Sequence, residues 1–95
     1  MNLEQIRRRR IEIERIAKRY GAHDVRIFGS VARGEAKPES DVDVLVSFEP
    51  ERSLLDVAGF EQDLEELLGC EVDVVEVGGI SPYIEDRILA EAVPL

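Results

Sequence analysis

Two aspartates separated by one residue stand at the start of an apolar run in this chain. Asp41 and Asp43 belong to the segment DVDVLVSF, residues 41–48, in which polar and apolar residues alternate. Alternation predicts a β-strand, on which residues i and i+2 point to the same face, so the two carboxylates are expected roughly 6 to 7 Å apart at the backbone. Such crowding of like charge is costly unless a cation neutralises it. Magnesium is typically held by one or two carboxylates together with substrate phosphates, so we interpret the two aspartates as part of a magnesium-binding site.

A Gly-Ser pair lies ten residues upstream of these aspartates. Gly29 and Ser30 follow the apolar stretch VRIF, and residues 31–40 separate them from Asp41. A glycine at the end of a strand lets a phosphate approach the backbone, and the start of the following helix presents free N–H groups to anions. Ser30 is predicted to cap that helix and to add a hydroxyl donor. Arg33, one helical turn further on, is placed to contact phosphate or to brace the carboxylates. The spacing therefore predicts binding of a nucleoside triphosphate through its metal complex.

The elements that must position these residues follow an αβαβαβα order. Apolar periodicity predicts a first helix over residues 2–20, a strand ending at Phe28, a short helix, a strand over 41–48, a helix after the Ser53 cap, a strand over 70–77 and a last helix with Ser81 as its N-cap. Gly21 and Gly69 are expected to end the first and third helices. The expected fold class is α/β (α+β), a small mixed β-sheet flanked by helices.

The segment GSVARGEAKPESDVD resembles the Gly-Ser, ten residues, Asp-x-Asp signature of the minimal nucleotidyltransferases, in the antitoxin-type branch of the DNA polymerase beta superfamily. The predicted element order agrees with the polymerase-beta-like nucleotidyltransferase fold over nearly the whole chain. The resemblance implies one set of catalytic and metal-binding residues, Asp41, Asp43 and Asp73, and one set of nucleotide-binding residues, Gly29, Ser30 and Arg33.

The third carboxylate of the superfamily comes from a later strand. Asp73, at the centre of EVDVV, is carried over to that role, and Glu71 on the same strand face is its rival. In the implied two-metal scheme, Asp41 and Asp43 bridge two Mg²⁺ ions, and Asp73 helps to bind the ion that activates the attacking hydroxyl.

The resemblance also implies an activity and a partner. The activity is Mg²⁺-dependent transfer of a nucleoside monophosphate, AMP from ATP, to a hydroxyl. In the antitoxin-type branch the acceptor is a tyrosine of a cognate HEPN-domain toxin, an RNase that the modification silences. The alternative is a module that neutralises its toxin by occupancy, with weak or no catalysis, and a plain nucleotide-binding domain is a third hypothesis. A homodimer and a hetero-oligomer both stay open.

Length and composition bound these hypotheses. Ninety-five residues predict a single domain over residues 1–95. The formal net charge of −9 argues against direct nucleic-acid binding, because phosphate backbones attract clustered Lys and Arg. The single cysteine, Cys70, suits a reducing compartment. No apolar stretch approaches the ~20 residues that span a bilayer, so a cytoplasmic protein is expected.

Overall fold

The computed structural model describes residues 1–95 as five α-helices, one 3₁₀ turn and four strands. In chain order these are α1 (Leu3–Arg7), α2 (Arg10–Arg19), β1 (Ala22–Phe28), α3 (Gly29–Arg33), β2 (Val42–Phe48), α4 (Leu54–Leu68), β3 (Val72–Glu76), the 3₁₀ turn Val77–Gly79, α5 (Glu85–Glu91) and β4 (Val93–Pro94). The strands form one sheet in the order β3-β2-β1-β4. β2 runs parallel to β3, whereas β1 is antiparallel to both β2 and β4. The predicted mixed sheet flanked by helices is confirmed, with β4 as an additional edge strand.

The alternating sequence of β2 separates two apolar clusters on opposite faces of the sheet. Val42, Val44 and Val46 point into the larger cluster, which contains the buried side chains of α1, α2 and α4. Leu45 points to the other face and packs with Ile80 and with Ile88 of α5. Asp43 shares the face of Leu45, because side chains two residues apart on a strand point the same way. Asp43 therefore lies on the sheet face that α5 and the segment around Ile80 cover.

The first helix is interrupted, whereas its periodicity predicts one continuous helix. α1 ends at Arg7 and α2 begins at Arg10, within the run of four arginines. Arg8 pairs back with Glu4, and Arg9 pairs forward with Glu12, so the ion pairs lie on either side of the break. One buried isoleucine lies on each side of the break, and these two, Ile6 and Ile13, are seven residues apart and continue one face. Periodicity therefore could not reveal the break.

Two predicted helix starts are wrong. Ser30 caps nothing, because the chain enters α3 one residue earlier, at Gly29, and the N-cap position is Phe28 without a side-chain hydrogen bond. Ser81 is not the N-cap of the last helix, since its carbonyl accepts hydrogen bonds from the N–H groups of Ile84 and Glu85 in a turn, and α5 begins only at Glu85. Ser30 thus lies inside the first turn of α3, and Ser81 lies in a turn before α5.

The helix signals around α4 are confirmed. Ser53 and Asp56 form a reciprocal capping box at its N-terminus, and Gly69 ends it in the left-handed conformation with φ +71°. None of the helices combines the length and the apolar composition that crossing a membrane requires.

Candidate active site

The three predicted carboxylates come from neighbouring positions on two parallel strands. Asp43 lies in β2 and is paired in register with Asp73 of β3, while Asp41 directly precedes β2. Adjacent strands lie roughly 4.8 Å apart, so residues in register on one face have neighbouring side chains. Asp43 is partly buried, and the other two aspartates are exposed. The structure thus places Asp43 and Asp73 side by side, with Asp41 two residues before Asp43.

The register also distinguishes the two candidates for the third carboxylate. Asp73 stands opposite Asp43, whereas Glu71 precedes β3, and its carbonyl accepts a hydrogen bond from the N–H of Val42. Asp73 is one of the charges that perturb the pKa of Asp43, and Glu71 is not. The geometry therefore favours Asp73 for the role left open between the two.

Gly29 lies directly against the carboxylate of Asp43. Gly29 has φ +73°, and a Cβ atom at this position would stand 2.0 Å from Oδ2 of Asp43. Phe28, the preceding residue, is the register partner of Asp43 across the antiparallel β1–β2 pair, which brings the end of β1 to this point. Only glycine combines the left-handed backbone with the room that the carboxylate occupies. The structure therefore brings the Gly-Ser turn into contact with Asp43, across the ten residues that separate the turn from Asp41 in the sequence.

The electrostatics of the site are those of crowded negative charge. The pKa of Asp43 is raised, first because burial disfavours its ionised form and then because Asp73, Asp41 and Glu91 repel its charge. Arg33 acts in the opposite direction and lowers this pKa. None of the salt bridges in the protein involves Asp41, Asp43 or Asp73. The chain itself therefore supplies no paired counter-charge to these three carboxylates.

The donor set fits Mg²⁺, although it is not a complete shell. No group of three or more histidine, cysteine or acidic side chains converges closely enough in this structure to hold a metal ion by itself. Mg²⁺ is commonly bound through one or two carboxylates, with water and substrate phosphates filling the other positions. Asp41, Asp43 and Asp73 offer such oxygens, unpaired and adjacent. They fit an ion that arrives with a phosphorylated ligand better than a permanently bound structural metal.

The two remaining predicted residues differ in their surroundings. The hydroxyl of Ser30, in the first turn of α3, caps no backbone group. Arg33, at the end of α3, forms ion pairs with Glu35, at 3.2 Å from its Nε atom, and with Glu91 of α5. These carboxylates raise the pKa of the Arg33 guanidinium, Glu91 more strongly than Glu35. Ser30 is therefore open to a ligand, whereas the charge of Arg33 is already engaged.

A cavity of about 240 Å³ adjoins Gly29 between α3 and α5. Seven residues line it: Phe28, Gly29, Arg33, Ile84, Arg87, Ile88 and Glu91. Arg87 and Glu91 could not be predicted from the sequence, because α5 follows Gly29 by more than fifty residues and only the tertiary fold brings them together. A larger cavity, of about 410 Å³, lies at the opposite end of β1 and contains none of the predicted site residues. The smaller cavity is the relevant one because it shares Gly29 with the carboxylate cluster.

The chain is similar to known proteins over most of its length. The family model described as nucleotidyltransferase domain matches residues 9–95. A Methanocaldococcus jannaschii protein with the provisional name protein adenylyltransferase is 46% identical over 93 residues, which cover 98% of this chain and 97% of the relative. The protein adenylyltransferase MntA of Thermococcus cleftensis is 44% identical over 78 residues, 82% of this chain and 79% of the relative.

Solved structures are similar over most of the chain. A structure described as a provisionally assigned minimal nucleotidyltransferase has a TM-score of 0.88 and 49% identity, and the match covers 100% of this chain and 97% of the other. A toxin-antitoxin complex determined with AMP-PNP contains a chain with a TM-score of 0.74, with coverage of 87% of this chain and 68% of that one. At 19% identity, the second likeness shows the fold alone.

Proposed function

The chain belongs to the nucleotidyltransferase domain family, and from this premise we propose that it transfers AMP from ATP to a tyrosine hydroxyl of a partner toxin, as the antitoxin of the pair. In the transfer, a bond forms between the acceptor oxygen and the α-phosphorus of ATP. The bond from that phosphorus to the bridging oxygen breaks, and pyrophosphate leaves.

The proposed AMP transfer rests mainly on the position of Asp43. Its carboxylate has Asp73 beside it on one strand and Gly29 against it on the other side, so the carboxylates and the phosphate-binding turn share one small volume. Catalysis by positioning and charge stabilisation requires this proximity, because phosphoryl transfer leaves little covalent chemistry to the protein.

Each residue of the site has a proposed role. Gly29 lets the phosphates approach the backbone, and the free hydroxyl of Ser30 donates to a phosphate oxygen. Asp73 accepts or relays the proton of the acceptor hydroxyl from the exposed edge of the site. Arg33, held by Glu35 and Glu91, braces α3 against α5 rather than facing a phosphate as a free cation.

The three aspartates would hold Mg²⁺, which supplies charge neutralisation and activates the acceptor oxygen when it is bound. The raised pKa of Asp43 agrees with this role, because a divalent cation favours the ionised carboxylate that burial and its acidic neighbours disfavour.

ATP as donor and a protein as acceptor are supported by what similar proteins are named. The Thermococcus relative is a protein adenylyltransferase, and a chain of the same fold was determined in a toxin-antitoxin complex with an ATP analogue. A HEPN-domain toxin and its tyrosine are the finer proposal, taken from the motif resemblance.

The test is transfer of label from α-³²P-ATP to a purified HEPN-domain protein offered as the candidate toxin. We expect wild-type protein with Mg²⁺ to label the toxin on tyrosine and to abolish its RNase activity. Asp43→Asn should lower the rate at least about a hundredfold, and Glu51→Gln, which removes one charge from an exposed turn, should not change it. Toxin that stays unlabelled by the wild type, or equal rates for wild type and Asp43→Asn, would contradict the proposal.

The occupancy alternative gives a different result in cells. If the chain neutralises its toxin only by binding, Asp43→Asn should protect cells as well as the wild type does. If transfer is required, the same variant should fail to protect although it still binds the toxin in a pull-down experiment.

A further inference from the structure

Tyr83 is the most exposed of the large hydrophobic side chains, at 97% exposure. It lies in the turn over residues 81–84, between the 3₁₀ turn and α5. Two hydrogen bonds close this turn, from the N–H groups of Ile84 and Glu85 to the carbonyl of Ser81. The hydroxyl of Tyr83 forms no hydrogen bond within the chain. A free phenol is therefore held outward on a closed turn.

Tyr20, the only other tyrosine, has surroundings that oppose reaction. Its hydroxyl donates to Oδ2 of Asp63 at 2.8 Å, and its ring lies so close to Gly59 that an added Cβ would stand 2.5 Å from it. The hydrogen bond to Asp63 is the main cause of a raised pKa of Tyr20. A phenol loses its proton when it attacks a phosphorus atom, so these contacts disfavour Tyr20 as a nucleophile. Tyr83 is thus the one tyrosine of the chain that is free to act as an acceptor.

The turn that carries Tyr83 borders the candidate site of its own chain without reaching into it. Ile80, before the turn, and Ile88, after it, pack on Leu45. Leu45 is two residues beyond Asp43 on the same strand face. A side chain that is almost wholly exposed cannot at the same time contact the partly buried Asp43. In this conformation Tyr83 is therefore not an acceptor for its own site.

The candidate site is open to an acceptor from another molecule. β3 is an edge strand of the sheet, and Asp73 on this strand is exposed. A tyrosine that projects from the surface of a second copy can therefore approach Asp73 from the edge of the sheet. We propose that Tyr83 is a self-modification site, to which another copy of the chain transfers AMP from ATP. The inference rests on the proposed transfer of AMP to tyrosine and adds the chain itself as a second acceptor.

The transfer joins one chain to the nucleotide held by the other. Oη of Tyr83 attacks the α-phosphorus of ATP bound to the second copy, and a bond forms between these two atoms. The bond from that phosphorus to the bridging oxygen breaks, and pyrophosphate leaves. The phenolic proton passes to the carboxylate of Asp73 in the second copy or to water. Tyr83 then carries AMP through a phosphodiester.

Repulsion between the copies limits this reaction to brief encounters. Each copy has a formal net charge of −9, and like charges slow the approach of two molecules. Mg²⁺ bound with the nucleotide would neutralise part of the negative charge at the aspartates, where Tyr83 enters. The initial rate is therefore expected to depend on encounters between copies, and to rise about fourfold when the protein concentration is doubled.

The experiment measures label from α-³²P-ATP on the chain itself, without any toxin. Wild type, Tyr83→Phe, Tyr20→Phe and Asp43→Asn are incubated with Mg²⁺, and tandem mass spectrometry locates the added AMP. Tyr20→Phe is the matched control, because it also removes one phenolic hydroxyl. In a mixing experiment, Asp43→Asn with an affinity tag is the recipient and Tyr83→Phe is the enzyme. Circular dichroism checks that every variant is folded.

We expect label on wild type and on Tyr20→Phe, none on Tyr83→Phe, and transfer to the tagged recipient in the mixture. Tyr83→Phe should still label the HEPN-domain protein at the wild-type rate. Label that persists on Tyr83→Phe, or a tagged recipient that stays unlabelled, would overturn the inference. Wild type that labels the HEPN-domain protein but not itself would overturn it while the proposed function stands. Wild type that labels neither protein would contradict both.

Discussion

Replacing Gly29 by alanine tests whether contact between the phosphate-binding turn and the carboxylates matters for activity. The added methyl group would begin 2.0 Å from Oδ2 of Asp43, whereas ordinary van der Waals contact begins at 3.4 Å. The carboxylate or the turn must therefore shift by more than 1 Å. Misplacement of about 1 Å in a catalytic site can cost about a hundredfold in rate, and we expect a loss of this size.

The backbone cost of the same substitution can be measured separately at Gly69. Gly69 has φ +71°, nearly the value of Gly29, but nothing lies within 4 Å of the point that a Cβ atom would occupy there. Alanine in the left-handed conformation costs roughly 1 to 2 kcal/mol at either glycine. In a domain of this size that lowers Tm by about 5 to 15 °C. Gly69→Ala should therefore lose stability but keep its transfer rate, measured below the Tm of both variants.

A double-mutant cycle separates the collision from the backbone strain. Asp43→Ala removes the group that the new methyl meets, so Gly29→Ala should cost less stability in that background than in the wild type. Denaturant unfolding of the four proteins measures this coupling without any acceptor or nucleotide. Two results together would refute the idea that Asp43 requires glycine at position 29. The first is a transfer rate of Gly29→Ala within about threefold of that of Gly69→Ala, and the second is that the stability changes of Gly29→Ala and Asp43→Ala add up in the double mutant.

Three further predictions concern charge, phosphate binding and helix capping. Asp43→Asn should raise Tm in metal-free buffer at neutral pH, since it removes a repelled, partly buried charge; lower Tm would contradict this. Because folding raises the pKa of Asp43, the free-energy cost of its negative charge in the folded state is absent below the ordinary pKa of 3.8 and grows as pH rises through the folded pKa. The difference in Tm between Asp43→Asn and the wild type should therefore vanish in acid. Ser30→Ala should weaken Mg²⁺-ATP binding several-fold in calorimetry, and unchanged affinity would place the phosphates elsewhere. Ser53→Ala should cost about 1 kcal/mol in denaturant unfolding, through loss of the capping box, and leave transfer unchanged.

The sequence predicted the parts of the fold that depend on local pattern. The strict alternation of β2 and the cap signals of α4 each rest on a few adjacent residues, and both appear in the structure as expected. The edge strand Val93–Pro94 was missed because two residues cannot display alternation, and its pairing with β1 is decided by tertiary packing. The late start of α5 was missed because a serine followed by proline suits a turn as well as a helix cap.

The candidate site also has a part that could be predicted from the sequence and a part that could not. The spacing of Gly29 and Asp43 predicted that the two lie close together, and they are in contact in the structure, because a short helix and a loop between two strands leave few ways to return to the sheet. The surroundings of Arg33 could not be read from the sequence. Its partner Glu91 lies 58 residues further along the chain, and only the packing of α5 on the sheet brings the two together.

The side chains of β2 alternate between two different faces of the sheet, and this determines where the chain can tolerate insertions and deletions. A slip of one residue in its pairing would turn Asp43 toward Phe60 and Leu64 and expose valines that are now fully covered. Burying an unpaired carboxylate costs several kcal/mol, a large share of what holds a small domain together. Length changes in the exposed loop before Asp41 can be absorbed there, but adding or removing one residue within the strand would destroy stability and chemistry together.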